Sequence, residues 1–284
     1  MDRTTLFSRP FAHPSLANFL STYYAGRVAV HSLGDAPFEV AKCNRCGFVW
    51  QVYILSDEWM FELYETWTDR DASLAKKARA NSSLYSGYAR QVELIARLLP
   101  RRVPSEISVL DFGMGWSYWC LMAKAFGYNV TGSELSQNQV AYARANGIKT
   151  LGDVADAKDG QFHFVNAAQV FEHLSAPMHT LKLLVSKIQR NGIVCIDVPN
   201  GRSIEAALRD ANWNAAKGPI QPLEHINCFT HKTLTAFGER AGLKRLKQPL
   251  QRGYRRNLVE VVKGRAGQFF KRFWGTTAYF VKVG

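Results

Sequence analysis

From residue 105 onward, short apolar runs alternate with amphipathic stretches of about ten residues, and this rhythm constrains the fold more than any other feature of the chain. Ile107–Phe112, Asn129–Ser133, Ile148–Leu151, Phe162–Asn166 and Ile193–Val198 read as buried strands. Tyr118–Phe126, Gln137–Ala145 and Pro177–Gln189 carry helical spacing between them. Strands that alternate with helices pair in parallel, since the connecting helix packs back onto the sheet. An open α/β sheet covered on both faces is therefore expected. Leu243–Leu250 and Leu258–Lys263 break the rhythm, with no helix between them, and predict an antiparallel hairpin at the sheet edge.

Ahead of this region, residues 1–66 are mixed and aromatic-rich. The extended runs Phe38–Lys42 and Phe48–Tyr53 flank Cys43-Asn44-Arg45-Cys46-Gly47, which reads as a hairpin with a tight tip. Ser56, followed by Asp57 and Glu58, marks a helix start leading into Trp59–Tyr64. Residues 73–99 lack proline and space Leu74, Leu84, Tyr88, Val92, Ile95, Leu98 and Leu99 as a helix would, before Pro100–Pro104 ends the segment. The chain thus divides into an N-terminal module (1–66), a helical connector (67–104), an α/β domain (105–264) and a basic aromatic tail (265–284).

Composition narrows the function classes. With 47% hydrophobic and 21% charged residues the chain can bury a core, which excludes wholesale disorder. No apolar run approaches the roughly 20 residues of a membrane span. The start, Met-Asp-Arg-Thr-Thr-Leu-Phe-Ser-Arg-Pro, lacks the features of a secretory signal, so a cytoplasmic protein is expected. Cys120, Cys195 and Cys228 stand alone in apolar patterns, as thiols of a reducing compartment do. The net charge is +13, and from Ala241 to the end eleven Lys or Arg face a single acid, Glu260. Such a concentration suits an anionic partner or simply a solvated basic face. Gln268–Trp274 mixes aromatics and cations like a membrane-surface segment or a docked helix with wet cations. No RNA-binding motif accompanies the charge, so nucleic acid is not the expected partner.

The chemistry concentrates in Val109-Leu110-Asp111-Phe112-Gly113-Met114-Gly115-Trp116-Ser117-Tyr118. An apolar strand ends in an acid, and a glycine-rich turn then opens a helix. Gly113 and Gly115 let the backbone turn sharply and approach a ligand at the carboxyl end of a strand. The next strand ends in Glu134, an acid placed to accept ribose hydroxyls. A dinucleotide fold shares these features, but its third glycine position is filled here by Tyr118, and Asp111 is a poor neighbour for a pyrophosphate. A carboxylate there suits a ligand with an ammonium or sulfonium group. Charge thus favours S-adenosyl-L-methionine over NAD.

Residues 105–264 resemble the class I S-adenosylmethionine-dependent methyltransferases. Asn166-Ala167-Ala168-Gln169-Val170-Phe171-Glu172-His173-Leu174 is similar to that family's segment after the fourth strand. Gly192–Asn200 is similar to its fifth strand, and Glu224–Thr230 to the stretch before the next helix. The resemblance implies a Rossmann-like sheet of order 3-2-1-4-5-7-6 with the last strand antiparallel. It also implies that Asp111, Gly113 and Gly115 cradle the methionine part, Glu134 holds the ribose, Gly152-Asp153-Val154 lies beside the adenine and Gln169 near the sulfonium. Asp153 reads equally as a solvated loop acid. This chain departs from the family at Ser117, often glycine, and at His163, often aspartate.

Methyl transfer from a sulfonium needs alignment first, and a base only where the acceptor carries a proton that must leave. The candidates are His225, His173 and Glu224, placed by the resemblance near the strand ends; His173 reads equally as a ring bonding backbone at a helix start. The motifs of enzymes that methylate base amino groups or cytosine C5 are missing. A methyltransferase acting on an oxygen or carbon of a small, anionic molecule is therefore expected. An RNA- or protein-directed methyltransferase, a nicotinamide-dependent oxidoreductase and a non-catalytic module are the alternatives. Cys43-x-x-Cys46 resembles half of the zinc ribbon that precedes some sugar C-methyltransferases. The partner cysteines are absent and His13 and His31 are unsuitably spaced, so no metal is expected.

Overall fold

The computed structural model describes residues 2–246 and 275–283. The chain opens with strand β1 (Arg3–Pro10), helix α1 (Pro14–Tyr23) and the hairpin β2 (Pro37–Cys43) and β3 (Val49–Gln51). The hairpin lies where the sequence puts it, with Cys43 and Cys46 at its tip. Helix α2 (Asp57–Glu62) begins at Ser56, whose hydroxyl accepts from Trp59 N, and runs into a π-turn at Leu63–Trp67. The helical run expected over 73–99 is two helices, α3 (Arg70–Ala78) and α4 (Ser82–Leu98). Asn81 divides them, because its side chain accepts from Ser83 N and caps α4.

The α/β region then follows the expected rhythm: β4 (Ser108–Phe112), α5 (Tyr118–Ala125), β5 (Asn129–Ser133), α6 (Gln137–Ala145), β6 (Lys149–Leu151), β7 (Phe162–Ala168), α7 (Pro177–Lys187), β8 (Ile188–Pro199) and α8 (Ile204–Leu208). The short β9 (Asn227–Cys228), α9 (His231–Arg240), β10 (Leu243–Arg245) and β11 (Gly275–Lys282) complete it. The large sheet has the order β10-β11-β8-β7-β4-β5-β6. Strands β4 to β8 pair in parallel, while β11 runs antiparallel to both its neighbours. This is the Rossmann-like methyltransferase sheet, 3-2-1-4-5-7-6.

One element differs from expectation. Leu243 begins an edge strand, but its partner is Gly275–Lys282, within the region read as a tail. The run Leu258–Lys263 and the mixed segment Gln268–Trp274 lie outside the described residues. Thr276, Ala278, Tyr279 and Phe280 are buried, which is why this segment is a sheet strand.

Adjacent residues on each central strand face opposite ways, and both faces are buried. Leu110, Val165, Ile196 and Phe280 join one core. Their neighbours Val109, Phe164, Cys195 and Tyr279 join the other. A third core belongs to the N-terminal module, where Leu16, Leu20, Phe38, Val40 and Trp67 pack with Ile204, Leu208, Ile220 and Leu223. The module therefore closes only with a segment from beyond β8. Strand β9 carries the same union into the small sheet, β1-β2-β3-β9, through Val49↔Cys228 and Trp50↔Asn227. Among the described residues no helix is long and apolar enough to cross a membrane.

Helix α9 touches the inserted strand at Gly238, where an added Cβ would lie 2.3 Å from the Phe280 ring. Gly238→Ala is expected to destabilise the chain by about 1–3 kcal/mol through overpacking. Urea unfolding should show a lower midpoint at an unchanged slope.

Candidate functional site

The strand-turn-helix of the glycine-rich segment folds back onto the neighbouring strand. Gly113 N and Met114 N both donate to Ser133 O, at 2.9 and 3.1 Å. Gly115 N donates to Glu134 Oε2 at 2.9 Å, while Glu134 Oε1 accepts from Leu135 N and Ser136 N. Glu134 thus fixes the turn with its carboxylate at the tip of β5. Gly113 has φ +71° and Gly115 φ +52°. A side chain at Gly113 would collide with Val170, and one at Gly115 would occupy open space with only Lys77 Nζ near, at 3.8 Å. Ser117, at φ +53°, takes the left-handed backbone that explains the family's glycine there. It is fully buried, and its hydroxyl finds no partner among the described residues.

Asp111 lies beneath the turn, 3% exposed, accepting from Asn166 Nδ2 at 2.7 Å and from Cys120 Sγ at 3.4 Å. Burial pushes its carboxyl up to about 6, against the pull of these two bonds and of Lys77. Lys77, on α3, is held below its ordinary value by burial, and Asp111 and Glu134 oppose that shift. At the end of β6, Asp153 caps the following turn through Ala155 N at 2.8 Å and stays exposed. A side chain at Gly152 would meet nothing within 4 Å. Gln169, at φ +59°, turns its amide to Asp197, with Nε2 3.2 Å from Oδ2.

Past β7 the chain enters a second polar group. One ligand-capable atom each from Glu172, His173 and His225 lies within 4.8 Å of the others. His173 Nδ1 faces Glu224 O at 3.0 Å, and His225 Nδ1 faces Gly218 O at 2.5 Å. The rings stand edge to face at 4.8 Å. Burial drives His173 down to about 3 and lifts Glu172 to about 8. Burial lowers His225 as well. Glu224 points elsewhere: its Oε1 accepts from Tyr24 OH at 2.8 Å, and burial raises its carboxyl.

The structure therefore gathers Asp111, Gly113, Gly115 and Glu134 at two adjoining strand tips, and His173 with His225 beyond the third. Glu172 joins the histidines. Sequence reasoning missed it as a site residue, although the repeated Glu-His pairs were its signal. It also missed Lys77 and the N-terminal tyrosines. Tyr64 sits on the π-turn, its ring 6.0 Å from His173, and its hydroxyl is raised by burial and then by Glu224, Glu172 and Glu134. Cys43 and Cys46 have no third metal donor beside them among the described residues.

A family model described as a methyltransferase domain matches residues 84–248, more than half of the chain. The chain belongs to the methyltransferase-domain family. Solved structures share the fold at low identity. Magnesium protoporphyrin IX methyltransferase from Synechocystis PCC 6803, solved with S-adenosylhomocysteine, is 14% identical at a TM-score of 0.53, over 79% of this chain and 98% of that one. The Burkholderia thailandensis 1,6-didemethyltoxoflavin-N1-methyltransferase, solved with its namesake compound and S-adenosylhomocysteine, is 13% identical at 0.51, over 85% and 98%. A chain from the Haloferax volcanii complex of the Trm112 activator with a methyltransferase is 16% identical at 0.51, over 81% and 100%. No curated protein matches.

In this methyltransferase the glycine turn pairs open space with nearby carboxylates, which fits a cationic ligand. Keeping Asp111 there has a cost. Its folded pKa of about 6 exceeds the ordinary carboxyl value of 3.8, so the folded state binds the extra proton between those values. The penalty is absent below the lower value and complete above the higher one, amounting to about 3 kcal/mol. Stability should fall as pH rises from 4 to 6. Asp111→Asn should flatten that slope and raise stability at pH 7 by about 1–3 kcal/mol, read from denaturant midpoints across pH.

Proposed function

We propose that this methyltransferase transfers a methyl group from S-adenosylmethionine to an oxygen or carbon of a small, anionic molecule. The observation that carries the reading is the pairing of two carboxylate-bearing strand tips on an open glycine turn with a His-His-Glu group beyond the next strand in which Glu172 and His225 are buried and His173 is half-buried. When bound, the cofactor supplies an electrophilic methyl group on a sulfonium, so the protein's part is binding and alignment.

The backbone at Gly113 and Gly115 lies against the methionine portion, and Asp111 supplies the balancing negative charge. Glu134, after accepting three backbone bonds, keeps a lone pair on Oε2 for a ribose hydroxyl. Gly152 and Asp153 border the adenine, and Gln169 lies beside the sulfonium. On the acceptor side, His173 and His225 each commit Nδ1 to a carbonyl, leaving Nε2 to bind the acceptor and draw its proton. Glu224 acts through position: bonded to Tyr24, it holds the loop that carries His225. Lys217 is exposed and its charge bears on His173, Glu224 and His225, which supports an anionic acceptor.

Calorimetry should detect S-adenosylhomocysteine binding and none for NAD. Glu134→Ala and Asp111→Asn, shown to be folded, should each weaken that binding tenfold or more; parental affinity in both would overturn the cofactor assignment. With methyl-labelled cofactor, label should enter small acidic acceptors rather than RNA. His225→Ala should lower kcat about 100-fold while S-adenosylhomocysteine affinity stays within twofold.

A further inference from the structure

Glu172 is 1% exposed, and among the described residues no donor beyond its own backbone N–H serves its carboxylate oxygens. His173 Nε2 lies 3.9 Å from its Oε1, beyond hydrogen-bond reach. A bare carboxylate in such a place is expensive unless something binds it. Its neighbours are also arranged for binding. His173 and His225 each set Nδ1 against a main-chain carbonyl, Glu224 O and Gly218 O. A hydrogen bond of this kind puts the proton on Nδ1 and leaves the Nε2 lone pair outward, the usual state of a metal-binding imidazole.

We propose that Glu172, His173 and His225 form a divalent metal site of the two-histidine, one-carboxylate type, facing the acceptor. Three protein donors leave coordination positions open, as in catalytic rather than structural sites. Metal–ligand bonds near 2.0–2.2 Å put neighbouring ligand atoms about 3–4 Å apart. Here they lie within 4.8 Å, so small side-chain rotations close the set. Two imidazoles with one carboxylate favour a first-row transition ion such as zinc, cobalt, iron or manganese over magnesium or calcium, which prefer oxygen.

The site's purpose rests on the methyl-transfer reading. With the cation bound, the two Nε2 atoms hold it instead of meeting the acceptor directly; an acceptor hydroxyl on the cation then loses its proton to water more readily, and no oxidant or reductant is involved. Open positions side by side suit an acceptor that presents a hydroxyl next to a second oxygen, which narrows the anionic class.

The test uses the full chain, stripped with chelator and titrated with Co²⁺ and Zn²⁺ alone. One ion per chain should remain after dialysis, with visible cobalt absorption. Affinity should fall at least 100-fold in both Glu172→Gln and His225→Gln, each checked by near-ultraviolet circular dichroism and S-adenosylhomocysteine binding. Mg²⁺ should bind at least 100-fold more weakly. No retained cobalt would overturn the site, as would retention that survives both substitutions but is lost in the Cys43→Ser/Cys46→Ser protein. Metal binding without S-adenosylhomocysteine binding would uphold the site and sink the cofactor reading. Cofactor binding without metal would do the reverse.

Discussion

A negative charge kept out of water beneath a glycine turn is the constraint from which the rest of the site follows. Asp111 ends the central strand β4, where the sheet on both sides excludes solvent. Its two hydrogen bonds do not offset desolvation, since its carboxyl stays above the usual range. Packing alone would be better served by an apolar residue at this position. The turn above it bends through three residues at positive φ, Gly113, Gly115 and Ser117. Only two of these are glycine, so Ser117 adds strain at the same spot. Charge and backbone strain are thus concentrated where a cationic ligand has most to gain, and the sheet's two apolar cores hold them in place.

The acceptor side is built differently, by joining distant segments. Gln51, on β3, donates to Gln221 O at 2.6 Å and His225 O at 2.9 Å. Tyr24, at the end of α1, donates to Glu224. These bonds are buried, so they are well shielded from water. The module's core closes around Ile220 and Leu223 in the same loop. Positioning of His225 is therefore a property of the N-terminal module as much as of the α/β sheet. The structure gives this module a reason to exist that does not involve its cysteine tip.

The residues that revealed themselves in the sequence are those governed by local rules. Ile107–Phe112 and its successors read as strands because both faces are buried, which leaves unbroken apolar runs. Gly113 and Gly115 were legible because φ above zero selects glycine, and Ser117 was legible as a departure for the same reason. Long-range pairings were not. Gly275–Lys282 reaches the sheet by pairing with Ile193–Pro199, far back along the chain, and with Leu243–Arg245, and its preceding basic stretch masks it as a tail. Tyr64 depends on a π-turn that no periodicity announces. Lys77 looks like any helix-surface lysine until α3 is laid across the glycine turn. Gln169 gives no sign in the sequence of the left-handed backbone that ties its amide to Asp197.

Two of the buried carboxylates, Asp111 and Glu172, show how the fold separates support from binding. Asp111 has side-chain partners, and its own carboxylate oxygens are spoken for. Around Glu172 the hydrogen bonds go to the main chain instead. Asn227 N donates to Glu172 O at 3.0 Å, and its side-chain amide donates to Phe171 O at 3.1 Å and Leu174 O at 2.6 Å. Asn227 itself is fixed in β9, opposite Trp50 of the N-terminal module. The turn bearing Glu172 and His173 is thus held by its backbone from the module side, and the Glu172 carboxylate takes no share in that support. A residue kept for structure would be bonded through its side chain, as Asn227 is. A buried acid whose backbone is clamped, and whose oxygens are left unmatched by the side chains of the described residues, is arranged to meet a ligand.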